Sequence, residues 1–145
     1  MNSGTPILIA KGLRVERGGV TLLDIPEFVI GQGEVLSIIG PNGAGKTTFL
    51  QTLCWLMKPV RGEIIFKGVQ VGSVISAPEY RKRLTMVFQE PLLFDTTVFN
   101  NVASGLKFRG LKGADMEKVV TENLGLFGIA HLRNRSARTL SGGEA

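Results

Sequence analysis

Cysteine and histidine occur once each in this 145-residue chain, as Cys54 and His131. A single thiol excludes a disulfide within the chain. Cys54 falls on the apolar side of a helical segment and is read as a small core residue. No apolar run approaches the roughly 18 residues of a membrane-spanning helix. The first residues, Met-Asn-Ser-Gly-Thr-Pro-Ile, show no basic stretch followed by an apolar one, so no export signal is expected and the cytosol is the expected compartment. Aromatic residues make up only 7%, and no aromatic motif of the RNA-binding kind appears. Internal repeats, low-complexity tracts and long polar linkers are also missing.

Acidic residues are the scarcer charge: 12 Asp and Glu against 17 Lys and Arg leave a net +5. Arg81-Lys82-Arg83 and the group Arg133, Arg135 and Arg138 supply much of it. Such clusters are most often solvated surface, so nucleic acid is not the expected partner. The rest of the composition, 43% hydrophobic and 20% charged, suits one ordinary globular domain.

Glycine is what the chain has in plenty, 19 residues of 145. Its most informative use is Gly40-Pro41-Asn42-Gly43-Ala44-Gly45-Lys46-Thr47-Thr48, which satisfies the phosphate-cradling pattern G-x-x-x-x-G-K-[ST]. By average usage a chance match somewhere in this length is only about 2%. The flanks agree with the pattern. Val35-Leu36-Ser37-Ile38-Ile39 before it reads as a buried parallel strand. Phe49, Leu50, Leu53, Cys54 and Met57 after it recur at helical spacing, and Pro59 should stop the helix. In such a device glycines let backbone N–H groups turn toward phosphate oxygens at a helix N-terminus. Lys46 would neutralise the β- and γ-phosphates, and the Thr47 hydroxyl would bind Mg²⁺.

The remaining chain divides by character. Ile7 to Val15 and Thr21 to Ile30 read as strands around the turn Arg17-Gly18-Gly19. Gly62 to Gly68 reads as a short strand, Pro78 to Leu84 as a brief helix, and Thr85-Met86-Val87-Phe88 as a compact apolar strand. Beyond Pro91 the pattern is helical. Val98, Phe99, Val102, Ala103 and Leu106 form one apolar stripe, and Met116, Val119, Val120, Leu124 and Phe127 a second.

Two further motifs complete the order: Gln89, directly after Phe88, and Leu140-Ser141-Gly142-Gly143-Glu144. Gln89 lies 43 residues beyond Lys46, and Ser141 lies 95 beyond it. A phosphate loop, a strand ending in glutamine, a helical stretch and an LSGGE signature, so spaced, resemble the ATP-binding cassette (ABC) family over essentially the whole chain. The resemblance implies an α/β P-loop NTPase lobe with an N-terminal antiparallel β subdomain and an inserted helical subdomain. Residues 7–95 would form the nucleotide-binding lobe, 96–135 the helical subdomain and 140–144 the signature. ATP and Mg²⁺ are the implied cofactors, held by Gly40 to Thr48, with Thr47 and Gln89 toward the metal or the attacking water. Ser141, Gly142 and Gly143 would meet the ATP of an opposite subunit. Arg17 stands where the family places an aromatic residue against adenine, and a guanidinium can stack on a base as well.

The resemblance also sets limits. His131 precedes the signature, whereas the family's phosphate-sensing histidine follows it. Glu90 and Glu144 do not occupy the catalytic-glutamate position. The sequence ends at Ala145 without the Asp-Glu strand that follows the signature in the family. The expectation is a C-terminally incomplete nucleotide-binding domain with no general base of its own.

The stretch from Gln89 to Phe94, with Thr97 to Val102 and Gly105 to Gly110, is most similar to prokaryotic importer ATPases, those for oxyanions (molybdate, tungstate, sulfate) in particular. The implied function is to couple ATP binding and hydrolysis to solute import. The implied partners are a transmembrane permease, a second nucleotide-binding domain and, indirectly, an extracytoplasmic solute-binding protein, on the inner face of the membrane. Two alternatives stay open: a soluble ABC protein acting on ribosomes or nucleic acid, and a nucleotide-binding fragment without turnover.

Overall fold

The computed structural model describes residues 5–145, which divide into two units, one up to Met86 and the other from Val87 to Ala145. The first is built on a long hairpin. β1 (Pro6–Arg17) and β2 (Val20–Gly31) pair antiparallel from Pro6↔Gly31 to Arg17↔Val20. The two residues between them, Gly18 and Gly19, have φ of 58° and 78°. A tight hairpin turn needs positive φ at both central positions, which glycine adopts without strain.

β3 (Arg61–Phe66) joins the other side of β1, and the two-residue β4 (Val69–Gln70) follows, giving an antiparallel sheet in the order β2-β1-β3-β4. In β1 the buried positions are Leu8 and Ala10, then Leu13 and Val15, so the alternation slips by one residue at Lys11-Gly12. β2 slips opposite, from Leu23 and Ile25 to Phe28 and Ile30, around Pro26. Proline is tolerated there because β2 is an edge strand. The β1–β3 register shifts at the same place, where Gly12 has φ 56° and Gly62 φ 92°. A Cβ on Gly62 would land on the Gly12 carbonyl, so only glycine lets the two strands approach this closely.

One face of this sheet carries the core. Leu8, Ala10, Leu13, Val15, Leu23, Ile64 and Phe66 pack with Phe49 and Leu53 of α1 (Lys46–Leu53) and with Tyr80 of α2 (Ala77–Arg81). The Phe28 and Phe49 rings meet edge to face at 4.8 Å, which fastens α1 to the hairpin. α2 has Pro78 in its first turn as expected; it starts one residue earlier, capped by Ser76, and ends at Arg81, short of the expected Leu84.

α1 ends earlier than Pro59. Its C-cap is Cys54, and Trp55 takes φ 55°. The Trp55 N–H bonds the Thr52 carbonyl at 2.9 Å and the Leu56 N–H bonds Gln51 at 2.8 Å, a Schellman ending that usually needs glycine at the left-handed position. The indole compensates by packing on Gly72, where a Cβ would lie 2.5 Å from the ring. Cys54 is half-buried, and burial raises its thiol pKa.

In the second unit, α3 (Val98–Phe108) and α4 (Gly113–Leu126) pack through Val98, Ala103, Val120 and Leu124, with Leu132 beneath them. Both end in Schellman turns at glycines, Gly110 with φ 90° and Gly128 with φ 69°. Val102 and Phe127, expected in the apolar stripes, are exposed. Phe127 is already the C-cap of α4, where helical periodicity no longer governs which way a side chain faces.

Two expected strands do not form. Val35–Ile39 runs without a ladder partner among the described residues, and Val35 and Ile39 are each 94% exposed. Thr85–Phe88 is likewise not a strand, with Val87 89% exposed. A β segment exists only through hydrogen bonds to a neighbour. An apolar composition therefore marks these stretches as able to enter a sheet but cannot place them in one.

Candidate nucleotide-binding site

The glycine loop is shaped by two left-handed residues, Gly43 with φ 81° and Gly45 with φ 83°, and by an Ala44 N–H to Pro41 carbonyl bond of 3.3 Å. Gly45 is also the N-cap of α1 and so brings no side chain to the helix end. The contrast with α2 and α3 is direct, since Ser76 and Thr97 each accept an N–H of their own helix. The first bond at the start of α1 runs from Phe49 N–H to the Gly45 carbonyl, at 2.8 Å. The N–H groups of Gly45, Lys46, Thr47 and Thr48 therefore have no acceptor among the described residues, and no acidic residue lies in the first turn. These are the groups that an anion satisfies at a helix N-terminus.

Lys46 adds a full charge. Its Nζ donates to the carbonyls of Gly40 at 2.8 Å and Pro41 at 2.7 Å, which holds the ammonium over the loop with a third hydrogen to spare. A hollow of about 370 Å³ adjoins the loop, with Ala44, Gly45 and Lys46 on its polar side and Leu23, Phe28 and Phe49 among its apolar walls. Thr47, the next residue of the helix, is exposed. The residues present thus fit a nucleotide phosphate chain: unpaired N–H donors, a fixed cation, and no side chain that competes.

The helix behind the loop is anchored at its far end. Thr52 is buried and returns its hydroxyl to the Thr48 carbonyl at 2.7 Å. Tyr80 donates its phenolic hydrogen to the Leu53 carbonyl at 2.7 Å, and burial, with a smaller contribution from Cys54, pushes the phenol pKa well up.

The other sequence candidates are placed as follows. Arg17 sits at the exposed tip of the β1–β2 hairpin. Gln89 lies in an exposed bend of the second unit; the strand end expected to carry it is not formed. Ser141, Gly142 and Gly143 form a turn closed by the Glu144 N–H on the Ser141 carbonyl at 3.0 Å. Glu144, set aside as a catalytic candidate from the sequence, has contacts there that were not expected. The Glu144 carboxylate accepts both the N–H and the hydroxyl of Ser141, each at 2.8 Å, and the Arg135 guanidinium at 3.0 Å. Those contacts, the Ser141 N–H foremost, hold its pKa below the usual glutamate range. The spacing S-x-x-E of a capping box was the available signal. Asn101 was missed: its Oδ1 accepts the Phe94 N–H at 2.7 Å while Nδ2 donates to the Phe94 and Thr97 carbonyls, both at 3.0 Å.

A glycine loop opening a helix with lysine and threonine in its first turn defines a P-loop nucleotide-binding protein. The family model described as ABC transporter matches residues 23–145, and the chain belongs to that family. It is 34% identical over 137 residues to the tungstate uptake system ATP-binding protein TupC of Peptoclostridium acidaminophilum, covering 94% of this chain and 61% of that protein. It is 39% identical over 144 residues to the cobalt import ATP-binding protein CbiO of Rhodobacter capsulatus, covering 97% of this chain and 51% of that one. Among solved structures, cbiO1 from Clostridium perfringens, part of the ABC transporter complex cbiONQ, superposes with a TM-score of 0.77 at 30% identity, over 95% of this chain and 57% of that chain. The fold is that of an ABC ATPase domain, and the chain spans between half and two thirds of the length of these relatives.

Proposed function

We propose that this chain is the ATP-binding part of an importer's energising subunit, binding Mg-ATP through Gly40 to Thr48 and working with a transmembrane permease and a second copy of itself. The single observation that carries the nucleotide reading is the start of α1, where four N–H groups without acceptors lie beside a lysine fixed 2.7 and 2.8 Å from the loop carbonyls. The loop N–H groups and the helix dipole bind the phosphates, and Lys46 neutralises the terminal ones. The Thr47 hydroxyl would hold magnesium, which would supply charge neutralisation to the bound phosphates. ATP hydrolysis coupled to transport is the activity proposed for the whole protein.

The names of the relatives support an importer. Their cargoes differ, from tungstate to cobalt, phosphate and spermidine, at similar identity. Cargo is thus proposed to be chosen by the permease and an extracytoplasmic binding protein. For this chain we favour a molybdate- or tungstate-type oxyanion, supported by the resemblance to TupC and to the WtpC protein of Pyrococcus abyssi, 39% identical over 118 residues. No helix among the described residues is long and apolar enough to cross a membrane, and the proposed place is the cytoplasmic face, against the permease.

The test is thermal unfolding with and without a non-hydrolysable ATP analogue and Mg²⁺. Ligand at 100 times its dissociation constant stabilises by about 2.7 kcal/mol, a rise in Tm of roughly 5–10 °C. Lys46→Ala should lose most of that rise. An equal rise in the variant means that the loop is not the phosphate site.

A further inference from the structure

The signature turn holds an anion of its own. Three donors converge on the Glu144 carboxylate: the Ser141 N–H, the Ser141 hydroxyl and the Arg135 guanidinium. Arg135 is itself oriented by Thr139, donating from Nη2 to the carbonyl at 2.6 Å and from Nε to Oγ1 at 3.2 Å. A backbone N–H, a hydroxyl and a guanidinium converging on paired oxygens also make a suitable donor set for a phosphoryl group. The Glu144 side chain is 32% exposed, so it can turn out to solvent without unpacking a core.

We propose that Glu144 is a positioning residue of the signature turn and an internal stand-in for phosphate, holding the Ser141 donors ready until the γ-phosphate of a nucleotide on a second copy displaces it. The inference rests on the reading that Ser141 to Gly143 meets the second copy's ATP. Two anions cannot share the same three donors, so closure of the two copies requires an exchange. The carboxylate leaves, and the phosphate takes the Ser141 N–H, the hydroxyl and Arg135. Until it leaves, the negative charge of Glu144 opposes the incoming nucleotide and sets a threshold for association. Glutamine at this position keeps the length and one acceptor for the Ser141 N–H. The Ser141 N–H and hydroxyl share one carboxylate oxygen, which the amide oxygen replaces, whereas the amide NH₂ cannot accept from Arg135. Glutamine therefore removes the charge and frees the guanidinium to donate to phosphate.

The experiment is sedimentation velocity of the whole subunit across a protein concentration series, with a non-hydrolysable ATP analogue and Mg²⁺. Glu144→Gln should associate at about tenfold lower concentration than the wild type. Glu144→Ala, which removes the charge and also the hold on Ser141, should gain less than the glutamine variant. In an Arg135→Ala background the glutamine gain should shrink, because the guanidinium it releases is gone. A residue that merely braced the turn would make both Glu144 variants associate less well. Nucleotide-dependent association that is equal or weaker in Glu144→Gln overturns the proposal and leaves the underlying reading standing. A wild type that never associates with nucleotide removes both.

Discussion

Replacing Tyr80 with phenylalanine deletes one oxygen from the interior of the first unit and leaves the ring where it is. The ring is fully buried and meets Phe66 at 5.3 Å, contacts that phenylalanine keeps. What disappears is the 2.7 Å bond to the Leu53 carbonyl. That carbonyl belongs to the last residue of α1, and a helix leaves its final carbonyls without partners of their own. Orphaning a buried acceptor costs about 1–3 kcal/mol, and the middle of that range lowers Tm by about 6 °C for a chain of this size.

The reporter is built in: Trp55 is the only tryptophan, sits next to the end of α1 and packs on Gly72. Urea unfolding followed by its fluorescence measures the difference directly. The pH dependence gives a second check with a definite sign. Burial raises the Tyr80 pKa in the folded state above the value of about 10 in an unfolded chain. The stability from keeping the phenol protonated is complete below that unfolded value and is lost as pH rises beyond it toward the folded pKa. The advantage of the wild type over Tyr80→Phe should therefore be constant near neutrality and narrow above pH ~10. Equal stability of the two proteins at pH 7, or parallel profiles into the alkaline range, would refute the role assigned to this bond.

Gly62→Ala should destabilise the first unit by about 3 kcal/mol or more, because the new Cβ falls on the Gly12 carbonyl and 2.6 Å from the Leu13 nitrogen, at φ 92°; a loss under about 0.5 kcal/mol in the same urea assay would mean that the strands can move apart freely. Asn101→Ala should cost the second unit about 1–2 kcal/mol and speed limited proteolysis between Leu92 and Thr97, since the amide holds Phe94 and Thr97 through three bonds; an unchanged cleavage rate there would show that the clamp does not order the loop.

The turns and the helices of this protein were legible locally. Gly18-Gly19 announced a tight hairpin and the two apolar stripes announced α3 and α4. The pattern from Gly40 to Thr48 announced a phosphate loop, and its geometry carries the donors that the pattern requires. Each of these depends on residues within a few positions of one another, through φ preference or helical period. The apolar runs Val35–Ile39 and Thr85–Phe88 carried the composition of strands, yet pairing is a contact between distant segments, and composition alone does not bring a partner. The same holds for Trp55, whose left-handed backbone is compensated by Gly72, seventeen residues on, and for the hydroxyl of Tyr80 on the Leu53 carbonyl, 27 residues back. Glu144 stands between the two cases. Its spacing from Ser141 was written in the sequence, but only the tertiary structure brought Arg135 to the carboxylate and made the turn a site that already holds a negative charge.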